Sequence, residues 1–151
     1  MKRTEPYEYR MQGRHLPWET ETLLQLLLMD LVECCDAETT VCREHWSADD
    51  ATHGQGAVFA LIVQDYFGGD LMKTELTALP KYAHLRSHYF NRITHDTEVD
   101  LASDQFDEGR DRELVPCGKV ATREGVLSDP DTRRKYEMLK RKLCQKFNVW
   151  D

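Results

Sequence analysis

Nowhere in this chain does an apolar run approach the roughly 20 residues that a helix needs to cross a bilayer. The opening residues, Met1-Lys2-Arg3-Thr4-Glu5-Pro6-Tyr7, lead into polar sequence rather than into an apolar signal core. A soluble, cytoplasmic protein with no membrane partner is expected. Positive charge is also in deficit: the formal net charge is −7, so the basic surface on which nonspecific nucleic-acid and anionic-membrane binding rest is missing, and no nucleic-acid partner is expected. Cysteines do not pair up. There are five, Cys34, Cys35, Cys42, Cys117 and Cys144, and without a signal peptide they read as free thiols rather than as a disulfide framework. Internal repeats and low-complexity segments are absent. So is a phosphate loop, because Gly54-Gln55-Gly56 lacks the following Lys-Ser/Thr and the preceding parallel strand that nucleotide binding requires.

What is present is enough chain for one well-buried domain, since 151 residues bury roughly 68–70% of their unfolded surface. Residues 1–17, with Tyr7, Tyr9, Gly13 and two prolines, show no sustained period and read as an N-terminal arm that packs on the domain or frays, ahead of a single domain over 18–151. A helical pattern runs from Trp18 to Cys35, with Leu23, Leu24, Leu26, Leu27, Leu28, Leu31 and Val32 over more than half its circumference, which predicts burial on several sides. A polar loop anchored by Trp46 follows. The most cleanly punctuated stretch runs from His53 to Gly69: a small-residue turn, an almost wholly apolar helix over 56–67, and the pair Gly68-Gly69 to end it. Beyond it the period shortens. Strands are predicted over 71–76, 87–93 and 98–101, the last two joined at Thr94-His95-Asp96-Thr97 as an antiparallel hairpin. A loop or single helical turn is expected after Ala102, and Leu114-Val115-Pro116 reads as a last short edge strand. The chain closes with a helix capped by Ser128 or Asp129, with Pro130 at its first position and Tyr136, Leu139, Leu143 and Phe147 on one face. The fold class is therefore α+β, a small antiparallel sheet packed against a buried central helix.

Thiol chemistry needs a cysteine at a helix N-terminus, where the dipole favours the thiolate, a histidine within hydrogen-bond reach, and an Asp or Asn to orient that histidine. Papain-like and transglutaminase-like scaffolds supply these in the order helix, strand, next strand. This chain offers the turn before Ala57, then His88, then Asp100. Residues on opposed positions of a hairpin share a face, as do residues two apart on one strand. His88 and Asp100 thus meet only if paired residue numbers across the hairpin add to an even value, with Phe90 opposite Asp100. The even register is predicted.

The segments Gly54-Gln55-Gly56, Phe67-Gly68-Gly69-Asp70, Ser87-His88-Tyr89-Phe90-Asn91, Glu98-Val99-Asp100-Leu101, Asp104-Gln105-Phe106 and Val126-Leu127-Ser128-Asp129-Pro130 closely resemble the bacterial YunG-like family over about residues 20–147. The resemblance implies a reduced papain-like core with Gly-Gln-Cys at the helix start, a strand His and a following Asp. On it, His88 and Asp100 match the His and Asp, and Gln55 matches a residue whose amide helps to hold an oxyanion. The Cys position is Gly56, so the covalent acyl-enzyme route is closed while an orphan His-Asp pair keeps the capacity for general-base chemistry. The implied function is a degenerate site, Gly56/His88/Asp100, that binds an acyl, amide or small peptide-like ligand without covalent turnover. The alternatives are an active thiol hydrolase or transferase whose Cys has been replaced at Gly56, and a noncatalytic accessory protein meeting a partner through its acidic surface. No cofactor is expected. Cys34, Cys35, Cys42, His45 and His53 fall within twenty residues, and thiolate and imidazole are good zinc ligands. Adjacent cysteines on a helix diverge by about 100°, however, and the paired Cys-x-x-Cys geometry is lacking, so no metal site is predicted from them.

Overall fold

A computed structural model of the chain describes residues 6–106 and 118–151. Among these residues there are four α-helices and one five-stranded sheet. In chain order the elements are β1 (Arg10–Gly13), α1 (Trp18–Cys34), α2 (Gly56–Phe67), β2 (Asp70–Glu75), β3 (Ser87–Thr94), β4 (Thr97–Asp100), β5 (Lys119–Ala121), α3 (Arg123–Leu127) and α4 (Pro130–Lys146). The sheet order is β1-β4-β3-β2-β5, with every neighbouring pair antiparallel. The fold is α+β, as the alternation of periods predicts.

The centre is α2. Every residue from Gly56 to Val63 is buried, which is what an apolar surface on all sides of a helix demands. Phe59, Ile62 and Val63 pack in one cluster with Leu24, Leu27, Leu28 and Leu31 of α1 and with Leu139 and Leu143 of α4. Ala57, Ala60 and Leu61 join Leu71 of β2 and Val126 of α3. On the sheet side, the buried Asn91 of β3 donates through Nδ2 to the carbonyl of Ala60, 2.9 Å away. At its far end the helix gives way to Gly68 and Gly69, both at positive φ. A Cβ on Gly69 would run into the carbonyl oxygen of Arg92, so only glycine allows β2 to start this close to β3. Asp65, near the same end, ties the helices together: it accepts from Arg123 at 2.8 Å and from Tyr136 and Lys140 at 2.6 Å each. Burial and the Asp65 carboxylate push the Tyr136 hydroxyl up to about 12.

Several elements depart from what the sequence predicts. Arg10–Gly13, in the stretch read as an arm, pairs residue for residue with β4 and forms one edge of the sheet. β5 and the single-turn α3 are not foreseen, and both are too short to carry a period. The strand expected at Leu114-Val115-Pro116, and Cys117 among the expected free thiols, lie outside the described residues. Helix α1 is not buried on several sides: Leu24, Leu27, Leu28 and Leu31 are covered while Leu23, Leu26 and Met29 remain exposed. One helix face meets the core, and no element among the described residues covers the other.

The hairpin of β3 and β4 decides where His88 points. Its two-residue turn, His95-Asp96, sets Thr94 opposite Thr97, an odd register that would send His88 and Asp100 to opposite faces. A bulge between Arg92 and Thr94 inserts one residue, after which Arg92 faces Glu98 and Asn91 faces Val99. The even register that the chemistry requires is thus produced by Ile93.

Asn91→Ala should lower the unfolding free energy by about 1–3 kcal/mol, the usual cost of losing a buried polar contact, measured by urea denaturation. An unchanged midpoint would mean that the bond to Ala60 does not help to seat the sheet on α2.

Candidate functional site

Helix α2 starts abruptly. The first bond of its ladder runs from the Phe59 amide to the Gln55 carbonyl at 2.8 Å, so the amides of Gly56, Ala57 and Val58 precede the ladder and form the positive end of the helix dipole. Gly56 and Ala57 line a cleft of about 400 Å³ together with Cys42, His84, His88 and Gln105.

His88 and Asp100 come together on one face of the hairpin. Nε2 of His88 lies 2.6 Å from Oδ2 of Asp100, and both side chains are only 2% exposed. A carboxylate can only accept, so Nε2 carries the proton of this bond. The other carboxylate oxygen accepts from the Ala102 amide at 3.1 Å, which fixes Asp100 in turn. Phe106 stands edge-on to the imidazole with centroids 4.7 Å apart, and Phe90 lies roughly parallel to it at 6.2 Å. Nδ1 is left facing the helix start. A Cβ built on Gly56 would sit 2.7 Å from Nδ1 and 3.1 Å from Cε1, closer than side-chain atoms pack. The imidazole therefore occupies the space into which a residue-56 side chain would project.

Gln55 is wholly buried, and its Nε2 donates to Thr39 Oγ1 at 3.0 Å. Because Thr39 Oγ1 itself donates to the Asp36 carbonyl, it can only accept from Gln55, and this fixes the amide orientation. Gln55 Oε1 has no partner among the described residues.

A second glutamine, not singled out as a site residue by the sequence, lies nearer the histidine. Gln105 accepts from the Gly54 amide at 3.0 Å, donates to the Ala102 carbonyl at 2.9 Å, and brings Nε2 to 3.4 Å from His88 Nδ1. It links the turn before α2, the segment after β4 and the ring on β3. Its donor facing Nδ1 agrees with an unprotonated nitrogen there. The signal was present in Asp104-Gln105-Phe106, but nothing in those three letters says that the side chain turns back towards position 88.

The cysteine and histidine reading is redrawn by the fold. Cys34 is packed in the main core, and Cys34 and Cys35 lie with Lys142 and Lys146 away from the cleft. Burial pushes the thiols of both cysteines up, that of Cys35 strongly. Cys42, His45 and His53 instead meet His84, which comes from the turn before β3. Cys42 lines the cleft, but its Sγ is directed to His45 Nδ1 at 3.2 Å and burial raises its thiol above the ordinary value, so it is not a primed replacement nucleophile.

The model of the YunG protein family matches residues 23–148. Neither a curated protein nor a solved structure gives a match to the chain.

Two outcomes follow from the geometry at Gly56 and Asp100. Gly56→Ala should cost about 1–3 kcal/mol by overpacking against the ring, and much of that cost should vanish in the Gly56→Ala/His88→Ala pair. Urea denaturation of the four proteins of this cycle measures the coupling, and strict additivity would show that the two positions do not touch. In Asp100→Asn one side-chain atom can no longer accept, so the proton of His88 should move in part to Nδ1. Nitrogen-15 shifts of the imidazole report this directly.

Proposed function

The chain belongs to the YunG family, and from that premise we propose that its cleft is a papain-type site without a nucleophile, binding an acyl, amide or peptide-like group noncovalently. The observation that carries this reading is the imidazole nitrogen held 2.7 Å from the Cβ position of residue 56 at the start of a buried helix. A ligand carbonyl or carboxylate oxygen is favoured where backbone amides and the helix dipole converge. An N–H or O–H of the same ligand is favoured at His88 Nδ1, whose lone pair is kept available because Asp100 holds the proton on Nε2. The two ends together select a group with an acceptor and a donor on neighbouring atoms, as a peptide unit or an amide has.

Covalent turnover at position 56 is excluded by the chemistry of glycine, which has nothing to acylate. A general-base role towards water needs only the His88–Asp100 pair and stays compatible with this reading. A second reading, an active thiol hydrolase or transferase with Cys at position 56, is favoured by the aim of Nδ1, which is where a base for such a thiol would stand. Against it stands the closeness of the ring, which would have to retreat before any side chain at 56 could be seated.

Binding is tested by titrating the nitrogen-15-labelled protein with acetate, acetamide and N-acetylglycinamide. The amides of Gly56 and Ala57 and the ring of His88 should shift, most with the last probe, and the response should be lost in His88→Ala. Silence at all three groups would refute the site. The readings part on Gly56→Cys: at about pH 6 an ordinary thiol of pKa about 8.5 is almost wholly protonated. Fast labelling by iodoacetamide that depends on His88 supports latent thiol catalysis, and labelling no faster than at the other cysteines supports the binding role.

A further inference from the structure

Four side chains from three separate segments converge beside the cleft in a way that the amide-binding reading does not use. Cys42 caps and His45 ends a single 3₁₀ turn, Arg43–His45. His53 belongs to the turn before α2, and His84 to the 3₁₀ turn Ala83–Leu85 before β3. One donor atom from each lies within 4.8 Å of every other. Cys42 Sγ and His45 Nδ1 are 3.2 Å apart, and His53 Nε2 and His84 Nε2 are 3.0 Å apart. In a tetrahedral zinc site with Zn–N about 2.0–2.1 Å and Zn–S about 2.3 Å, donor atoms lie roughly 3.3–3.6 Å from one another. Two of the pairs lie just inside that spacing and no pair exceeds 4.8 Å, so modest turns of the exposed His45 and His84 rings would complete it.

Two further observations point to a cation. Two neutral imidazoles that face each other through Nε2 at 3.0 Å are joined by one N–H···N bond, and when both rings carry their proton on Nδ1 the same two Nε2 lone pairs are free to be taken by one ion. His53 is buried, at 8% exposure, and its Nδ1 has no hydrogen bond among the described residues. The Asp50 carboxylate lies 3.3 Å from that nitrogen but off the direction of its N–H. A histidine that binds metal through one nitrogen usually donates from the other to a carboxylate, and a small rotation of the ring would bring Asp50 into that role.

The local backbone is built to hold the set. Thr40 Oγ1 donates to the His53 carbonyl at 2.6 Å and accepts from the Cys42 amide at 3.1 Å, and the Val41 amide donates to the Gly54 carbonyl at 3.1 Å. These bonds clamp the Cys42 segment to the His53 segment before any ion arrives.

We propose that Cys42, His45, His53 and His84 form a tetrahedral Zn²⁺ site, with Asp50 orienting His53. One thiolate and three imidazoles suit a borderline-soft ion without geometric demands of its own, and four protein donors leave no open position, so the site is structural rather than catalytic. Its effect is to pin the loop before α2 to the turn before β3. Both border the cleft, and His84 stands only four residues ahead of His88.

The test uses the full chain, free of any histidine tag, stripped by chelator and titrated with Co²⁺ as a spectroscopic stand-in and with Zn²⁺. One equivalent of Co²⁺ should give intense visible bands of tetrahedral symmetry and a thiolate-to-cobalt band in the near ultraviolet. One equivalent of Zn²⁺ should displace it and raise the melting temperature. Cys42→Ser should abolish the thiolate band, and His84→Gln should weaken Zn²⁺ binding by about tenfold or more. Cys34→Ser/Cys35→Ser should leave both unchanged, with circular dichroism checking that each variant is folded. Weak octahedral bands, uptake far from one equivalent in the unaltered chain, or a thiolate band that depends on Cys34 or Cys35 would each overturn the assignment. None of these readouts depends on acyl or amide binding at His88.

Discussion

The hydrogen bond between His88 and Asp100 is the constraint around which this molecule is arranged. Placing an imidazole and a carboxylate where each is 2% exposed is tolerable only when they satisfy one another and the remaining polar atoms are also matched. The surroundings meet that condition: Ala102 supplies an amide to the second carboxylate oxygen, and Gln105 approaches the second ring nitrogen. Both residues follow β4 immediately, so the chain that delivers the acid also delivers its support. None of this assembles unless β3 and β4 pair in the even register, and that depends on one inserted residue in a hairpin whose turn would otherwise set the opposite phase.

How much of this is legible in the letters depends on how local the cause is. The limits of α2 coincide with those expected because the apolar run is bracketed by glycines on both sides, and the second of the closing pair, Gly69, lets β2 start against β3. The facing of His88 and Asp100 follows from parity alone, although the bulge that produces it has no signature at Ile93. By contrast, β1 and β5 are strands only because a neighbour offers free backbone groups, and three or four residues carry no period of their own. The breadth of the apolar arc on α1 misleads for a related reason: periodicity reports how much of a helix is apolar, and the number of elements available to cover it is a property of the whole fold. Gln105 and His84 are legible only after folding, since each acts across a long stretch of chain on residues with which it shares no spacing.

The loop between α1 and α2 links two chemistries. Thr39 holds Gln55, Thr40 holds His53, and Gly54 is held by Val41 through its carbonyl and by Gln105 through its amide. The same few residues thus position the start of the central helix and the donors of the Cys/His cluster. The two are joined by directional hydrogen bonds, three of them made by side chains and one between backbone groups. The exposed apolar face of α1 lies on a different part of the surface and takes no part in this network.

The glycine at position 56 has a consequence for which substitutions the fold accepts. With the imidazole in the volume that a side chain would need, a substitution by cysteine or any other residue meets an occupied place and is penalised at once. Seating a side chain there requires the ring to retreat, so the residue allowed at position 56 is coupled to the placement of His88. Sterics thus favour glycine at position 56 for as long as Asp100 holds the ring where it is.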